Sequence, residues 1–221
     1  VGSYLPKKKV SNYDLEKFMD TSDQWIRKRT GIKFRHFVED NELTSDMATN
    51  AAELAIFNAG FKPKDIDLII LATTTPDNTF PSTASYIQRN LGCKAISFDV
   101  QAVCAGFIYA ISIGVAMLKD THGKKCLVIG ADSMSKILDW NDRSTSVLFG
   151  DGAGAVDLEK RINSDYSYKT INYILNHYKN IKFFWLMGAD NLINFHMWQN
   201  WQKIFNNMSI VIFRRHGYNS K

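Results

Sequence analysis

The sequence predicts an α/β fold in two pieces, and three features carry that expectation. Short runs rich in Ile, Val and Leu alternate with longer amphipathic segments, the pattern of buried strands joined by helices. Glycines and capping residues punctuate the runs, and the composition changes abruptly after Val156. In chain order, the pattern predicts helices over residues 15–19, 23–28 and 45–59, the last with Thr44 or Ser45 as N-cap and Gly60 as its stop. A strand is expected at 68–73, a helix at 82–90, a strand at 95–103, a helix at 104–118, and strands at 125–130 and 144–149. The remainder continues with a helix at 169–178, a strand at 182–187, a helix at 193–205 and a strand at 210–213.

The break at Val156 is compositional. Residues 1–156 hold 18 Lys plus Arg against 18 Asp plus Glu, eleven of the thirteen glycines, and every proline and cysteine; residues 157–221 hold 9 basic against 4 acidic. The formal charge of +5 therefore belongs to the last 65 residues, which also carry 13 of the 28 aromatic side chains. Such a shift argues for two segments of different origin. The chain opens on Val1 rather than Met, inside the expected first strand, so both ends read as cut.

Several function classes recede on composition. Cys93, Cys104 and Cys126 are odd in number and lack C-x-x-C spacing, which argues against a zinc site or disulfide framework and for a reducing, cytoplasmic setting. The tail's charge forms no basic stripe, so nucleic acid is not an expected partner, and Lys7-Lys8-Lys9 beside Pro6 reads as a solvated turn. Residues 100–118 run without a charge. A helix over 104–118 nevertheless spans only about 22 Å, short of the roughly 30 Å hydrocarbon core, so it reads as a buried central helix and no membrane span is expected.

Cys104 is the leading chemical candidate. It sits where the apolar run 95–103 hands over to the small-residue helix starting Cys104-Ala105-Gly106-Phe107. A thiol there meets unpaired backbone N–H groups and the positive end of the helix dipole, both of which favour thiolate. The plainer reading is a buried core cysteine. Gly150-Asp151-Gly152-Ala153-Gly154 is not followed by Lys-Ser or Lys-Thr, so it reads as a close backbone approach rather than a phosphate loop.

The tract Phe98-Asp99-Val100-Gln101-Ala102-Val103-Cys104-Ala105-Gly106-Phe107, with Thr21-Ser22-Asp23-Gln24-Trp25-Ile26, Arg29-Thr30-Gly31-Ile32 and Phe149-Gly150-Asp151-Gly152-Ala153-Gly154-Ala155, resembles β-ketoacyl-acyl carrier protein synthase III from Val1 to about Val156. The resemblance implies the first half of a thiolase-type fold. In it Cys104 takes an acyl group from an acyl-coenzyme A substrate and passes it to malonyl on acyl carrier protein, in the initiation of fatty-acid synthesis. It further implies that Trp25 and Arg143 flank the adenine of coenzyme A, that Arg29 lies near its phosphates, that no cofactor or metal is needed, and that the protein is a homodimer with the loop around Thr79-Phe80-Pro81 at the contact. Read without the family, Trp25 is an ordinary core residue and Arg143 a solvated one. The family's downstream His and Asn, which support decarboxylation, have no counterpart after Val156, so condensation is expected to fail.

Residues 157–221 carry Tyr166-Ser167-Tyr168-Lys169-Thr170, Phe183-Phe184-Trp185-Leu186-Met187-Gly188-Ala189-Asp190-Asn191, Trp198, Trp201 and Arg214-Arg215-His216-Gly217-Tyr218. These resemble an internal piece of bacterial nicotinate-nucleotide adenylyltransferase, which implies a partial Rossmann-like segment. Tyr168, Thr170 and Trp198 would then line a nicotinate pocket, with Asp190 near the nucleotide. The family's His-x-Gly-His and Ser-Thr-x-x-Arg motifs are absent, and His196 and His216 read as surface histidines. The expected organisation is thus a condensing-enzyme half, 1–156, joined to a nucleotidyltransferase-like fragment, 157–221. Its alternative outcome is a composite without catalysis.

Overall fold

A computed structural model describes residues 1–120, 124–159, 171–172, 174–176, 182–188 and 194–213. It divides into two units, Val1–Lys160 and Arg161–Lys221. The first opens with β1 (Gly2–Tyr4), β2 (Lys8–Ser11), α1 (Asn12–Leu15), α2 (Asp23–Thr30), β3 (Phe34–Phe37) and α3 (Thr44–Asn58). It continues through β4 (Leu68–Ala72), α4 (Thr83–Leu91), β5 (Ile96–Val100), α5 (Gly106–Asp120), β6 (Lys125–Ser133), α6 (Arg143–Ser146) and β7 (Asp151–Glu159).

Five of these strands form one mixed sheet in the order β1-β7-β6-β4-β5, with β4 parallel to both neighbours and β7 antiparallel to β6 and β1. All five residues of β4 are buried, as an unbroken apolar run requires of a strand covered on both faces. Ile69 and Leu71 pack with Ala48, Ala52 and Ile87 of α3 and α4, while Leu68, Ile70 and Ala72 pack with Ala110 and Leu118 of α5. A smaller cluster, Val10, Leu15, Ile26, Phe37 and Val147, binds the β2–β3 pair to α1 and α2.

Helix α3 departs from its expected cap. Leu43 holds the cap position and its N–H donates to Asp46 Oδ2 at 2.9 Å, while the Thr44 hydroxyl turns inward to the Thr75 carbonyl at 2.7 Å. Gly60 does follow the helix, at φ +70°, and the Phe61 N–H closes the end on Ile56 O at 3.0 Å. The helix expected at 15–19 lies earlier, because Ser11 and Asp14 form a reciprocal capping box.

The strand expected at 144–149 is absent. Asp142 accepts from the Ser144 N–H at 2.9 Å and from the Thr145 hydroxyl at 2.6 Å, starting the short helix α6 instead. The sheet strand follows it as β7, built from the glycine-rich tract and running to Glu159, so the composition break at Val156 falls inside a paired strand. The strand expected through 103 ends at Val100, because Val103 adopts φ +46° and opens the 3-10 turn Val103–Ala105.

The second unit contains β8 (Phe184–Gly188), α7 (Trp201–Asn207) and β9 (Ser209–Phe213), the two strands pairing in parallel. Its core gathers Ile171, Met187, Phe195 and Ile204 with Trp185, Trp198 and Trp201. The helix expected at 193–205 is divided by Asn200 at φ +55°; of that expected at 169–178, residues 171–172 and 174–176 are described and are helical. No helix among the described residues is long and apolar enough to cross a membrane.

Two positions expose stored cost. Both carboxylate oxygens of Asp157 are buried without a hydrogen-bond partner. Burial raises its pKa from 3.8 to about 6, against the pull of the Val1 amine and Lys125. Since the folded value lies above the unfolded one, stability is fully present below about pH 4 and is lost as pH rises through 6. Asp157→Asn is expected to gain about 1–2 kcal/mol at pH 8, discounted for solvent screening, and little at pH 4, by urea denaturation. Val103 is β-branched in the left-handed region, which costs about 1–3 kcal/mol. Val103→Gly, offset by glycine's greater unfolded-state freedom, is expected to gain about 1 kcal/mol in the same assay.

Candidate active site at the start of α5

The chain reaches Cys104 through β5, and two carboxylates fix its approach. Asp99, within β5, accepts from the Thr83 and Ala84 N–H groups, both at 2.7 Å, and so anchors the first turn of α4. Asp132, at the end of β6, draws the 73–75 segment against itself through the Thr74 N–H at 2.7 Å and hydroxyl at 2.8 Å. The turn Val103–Ala105 then leads directly into α5. Cys104 occupies its middle position, where a backbone N–H has no carbonyl behind it to donate to.

Helix α5 lies close to the sheet because glycines face it. A Cβ on Gly130 of β6 would stand 3.1 Å from the Phe107 ring, and one on Gly114 of α5 would stand 2.9 Å from Cys126 Sγ. Cys104 is exposed, whereas Cys93 and Cys126 are buried. Burial, reinforced by Asp157, pushes the Cys126 thiol up to about 12.

In front of Cys104 lies a concavity of about 240 Å³ walled by Ala72, Phe107, Gly130, Ala131, Gly150 and Gly152, with Asp132 at its edge. The walls are mostly small residues, the size suits a short acyl group, and Asp132 is occupied by the threonines it holds. Asp151 serves a similar framework role: its carboxylate is buried and accepts from the Val38 N–H, the Ser135 N–H and the Ser135 hydroxyl. Sequence reasoning did not single out Asp99, Asp132 or Asp151 as individual anchors. Position beside glycine and at strand ends was the available signal.

Trp25, Arg29 and Arg143 come together. The Arg29 guanidinium carbon lies 4.3 Å and that of Arg143 5.1 Å from the Trp25 ring centroid. Arg143 Nη1 donates to the Asp20 carbonyl at 2.7 Å. In this arrangement the Arg143 guanidinium lies over the indole face that the expected purine would use. In the second unit, Trp198 makes edge contacts with Phe195 and Trp185, at 5.4 and 6.2 Å between centroids. Tyr168, Thr170 and Asp190 lie outside the described residues. No group of three His, Cys, Asp or Glu side chains among the described residues is arranged to hold a metal ion.

Comparison with known proteins finds relatives for the segment that carries Cys104. The family model for 3-oxoacyl-[acyl-carrier-protein (ACP)] synthase III matches residues 98–177, the stretch containing Cys104. The chain is 61% identical over 166 residues to the beta-ketoacyl-[acyl-carrier-protein] synthase III of Ehrlichia canis, covering 75% of this chain and 52% of that protein. It is 58% identical over 161 residues to that of Neisseria meningitidis, covering 71% and 50%. The solved 3-oxoacyl-[acyl-carrier-protein] synthase III of Aquifex aeolicus superposes with a TM-score of 0.70 at 51% identity, over 74% of this chain and 53% of that one. The chain thus spans about half the length of the relatives it matches, and the matched segment is similar to 3-oxoacyl-[acyl-carrier-protein] synthase III in both sequence and thiolase-like α/β fold.

Proposed function

We propose that this chain accepts an acyl group from acyl-coenzyme A onto Cys104, the first half-reaction of fatty-acid initiation. The exposed thiol at the start of α5, facing a small-walled concavity, carries the reading. Cys104 Sγ attacks the thioester carbonyl, the carbon–sulfur bond to coenzyme A breaks, and coenzyme A leaves as the thiol while the acyl group stays on Cys104. The Cys104 N–H is one donor for the transient oxyanion. Trp25, Arg29 and Arg143 supply a flat face and two cations for the nucleotide end.

The second half-reaction, decarboxylating condensation with malonyl-acyl carrier protein, needs a His and an Asn to stabilise the enolate. The five histidines of this sequence, at 36, 122, 177, 196 and 216, form no His-Gln-Ala-Asn-like stretch. The residues of this sequence therefore support the acyl-enzyme step and include no such donor pair, each such donor being worth on the order of 3 kcal/mol. Homodimerisation through the 79–81 loop is supported by the exposure of Phe80, and a reducing cytoplasmic setting by three unpaired cysteines.

A second reading applies to residues 157–221, as a nicotinate-nucleotide adenylyltransferase-like remnant in a nucleotidyltransferase-like tail. The parallel β8–β9 pair joined through α7 supports it, as does the partly buried Trp198. Loss of nicotinate mononucleotide binding on Trp198→Ala would support that reading, and absence of binding by the unaltered chain would remove it.

Incubation with acetyl-coenzyme A should add one acetyl group by intact-mass spectrometry, and Cys104→Ser should abolish it. Trp25→Ala should lower kcat/KM for that transfer about tenfold, mainly through KM. No β-ketoacyl product should form from malonyl-acyl carrier protein. Acetylation that survives Cys104→Ser, or sustained ketoacyl turnover, would contradict the proposal.

A further inference from the structure

Helix α5 is apolar on both faces. Its inner face seats Ala110 and Leu118 on the sheet, with Ile111 and Ile113 packed beside them, and it carries no charge from Gly106 to Leu118. A helix without a polar face is ordinarily covered all round. Here the outer face is open: Ile108 is 59% exposed, Tyr109 54% and Val115 42%, and the smaller Ser112 and Ala116 are exposed between them. The spacing 108, 109, 112, 115, 116 places all five on one stripe.

The stripe is complementary to itself. A two-fold axis across Ser112 lays a second α5 antiparallel to the first, so that position 108 of each copy meets 116 of the other and 109 meets 115. Ile108 then fills the space above Ala116, Tyr109 lies along Val115, and the two Ser112 positions are small enough to meet on the axis. A parallel pair would instead set Ile108 on Ile108 and Tyr109 on Tyr109, large against large. Ser112 Oγ already donates to the Ile108 carbonyl at 3.1 Å, so covering it orphans no donor. A stripe without charge offers nothing to hold a nucleic acid or a charged peptide. With the flanks of the helix it supplies on the order of 500 Å² per copy, which reaches the roughly 1,000 Å² in total that a specific contact needs.

We infer that α5 is an interface with a second copy of this chain, antiparallel and centred on Ser112. The contact is separate from the 79–81 loop and from acyl transfer at Cys104. The test is analytical ultracentrifugation of the full chain at about 50 μM in a Phe80→Ser background, which takes the loop's ring, 82% exposed, out of the readout. That chain should sediment as a dimer. Adding Ile108→Glu or Ala116→Lys should weaken self-association at least about tenfold, because each buries two unpaired charges at the contact. Mixed one to one, the two variants should pair with each other at least about tenfold more tightly than either does with itself, since the new carboxylate then meets the new ammonium. Recovery in the mixture also shows that both variants fold. A monomeric Phe80→Ser chain, single variants that associate as tightly as their parent, or a mixture with no preference for the mixed dimer would each overturn the assignment. Flotation of a monomeric chain with phosphatidylcholine vesicles would do the same and give the face to a lipid surface.

Discussion

The close seating of α5 on β6 is the constraint from which the first unit follows. Gly114 and Gly130 remove the side-chain volume that would hold the helix off the sheet. With them in place Phe107 lies over Gly130 and the first turn of α5 is brought to the ends of the central strands β4 and β6. Close packing of this kind tolerates little added volume. The concavity in front of Cys104 is therefore a product of small residues on several strands rather than a feature of one loop.

Around that contact, carboxylates do the tethering. Asp99 joins β5 to α4, Asp132 joins β6 to the segment after β4, and Asp151 joins β7 to the segments after β3 and β6. Each accepts backbone N–H groups left unpaired at a helix start or beyond a strand end, which satisfies those donors and fixes loop geometry together. Asp157 is the counter-case, a carboxylate in the same sheet with neither oxygen paired. It lies one residue beyond the composition break, between Val156 and Leu158, which both pack against the core.

The continuous apolar strands β4 and β6 were legible in the sequence because burial on both faces leaves a one-dimensional signature. So was Cys104, from the strand-to-helix handover. β7 was not, because Gly and Ala carry little strand propensity and its conformation is imposed by pairing with β6 and β1. Nor was α6, where Asp142 and the hydroxyls after it outweighed the apolar end of the run. Trp25 and Arg29, four residues apart on α2, share a helix face by spacing alone. Arg143 joins them only through tertiary structure, and its likeness to a family residue was what named it. The direct contact between guanidinium and indole had no sequence signal, since it depends on the Asp20 carbonyl that holds Arg143.

The central claim is that the fold presents one thiol and buries two. Brief treatment of the native chain with iodoacetamide, followed by peptide-resolved mass spectrometry, measures it directly. The account predicts rapid alkylation at Cys104, with Cys93 and Cys126 modified only after denaturation. Labelling of Cys126 or Cys93 as fast as Cys104, or protection of Cys104 in the native chain, would contradict it.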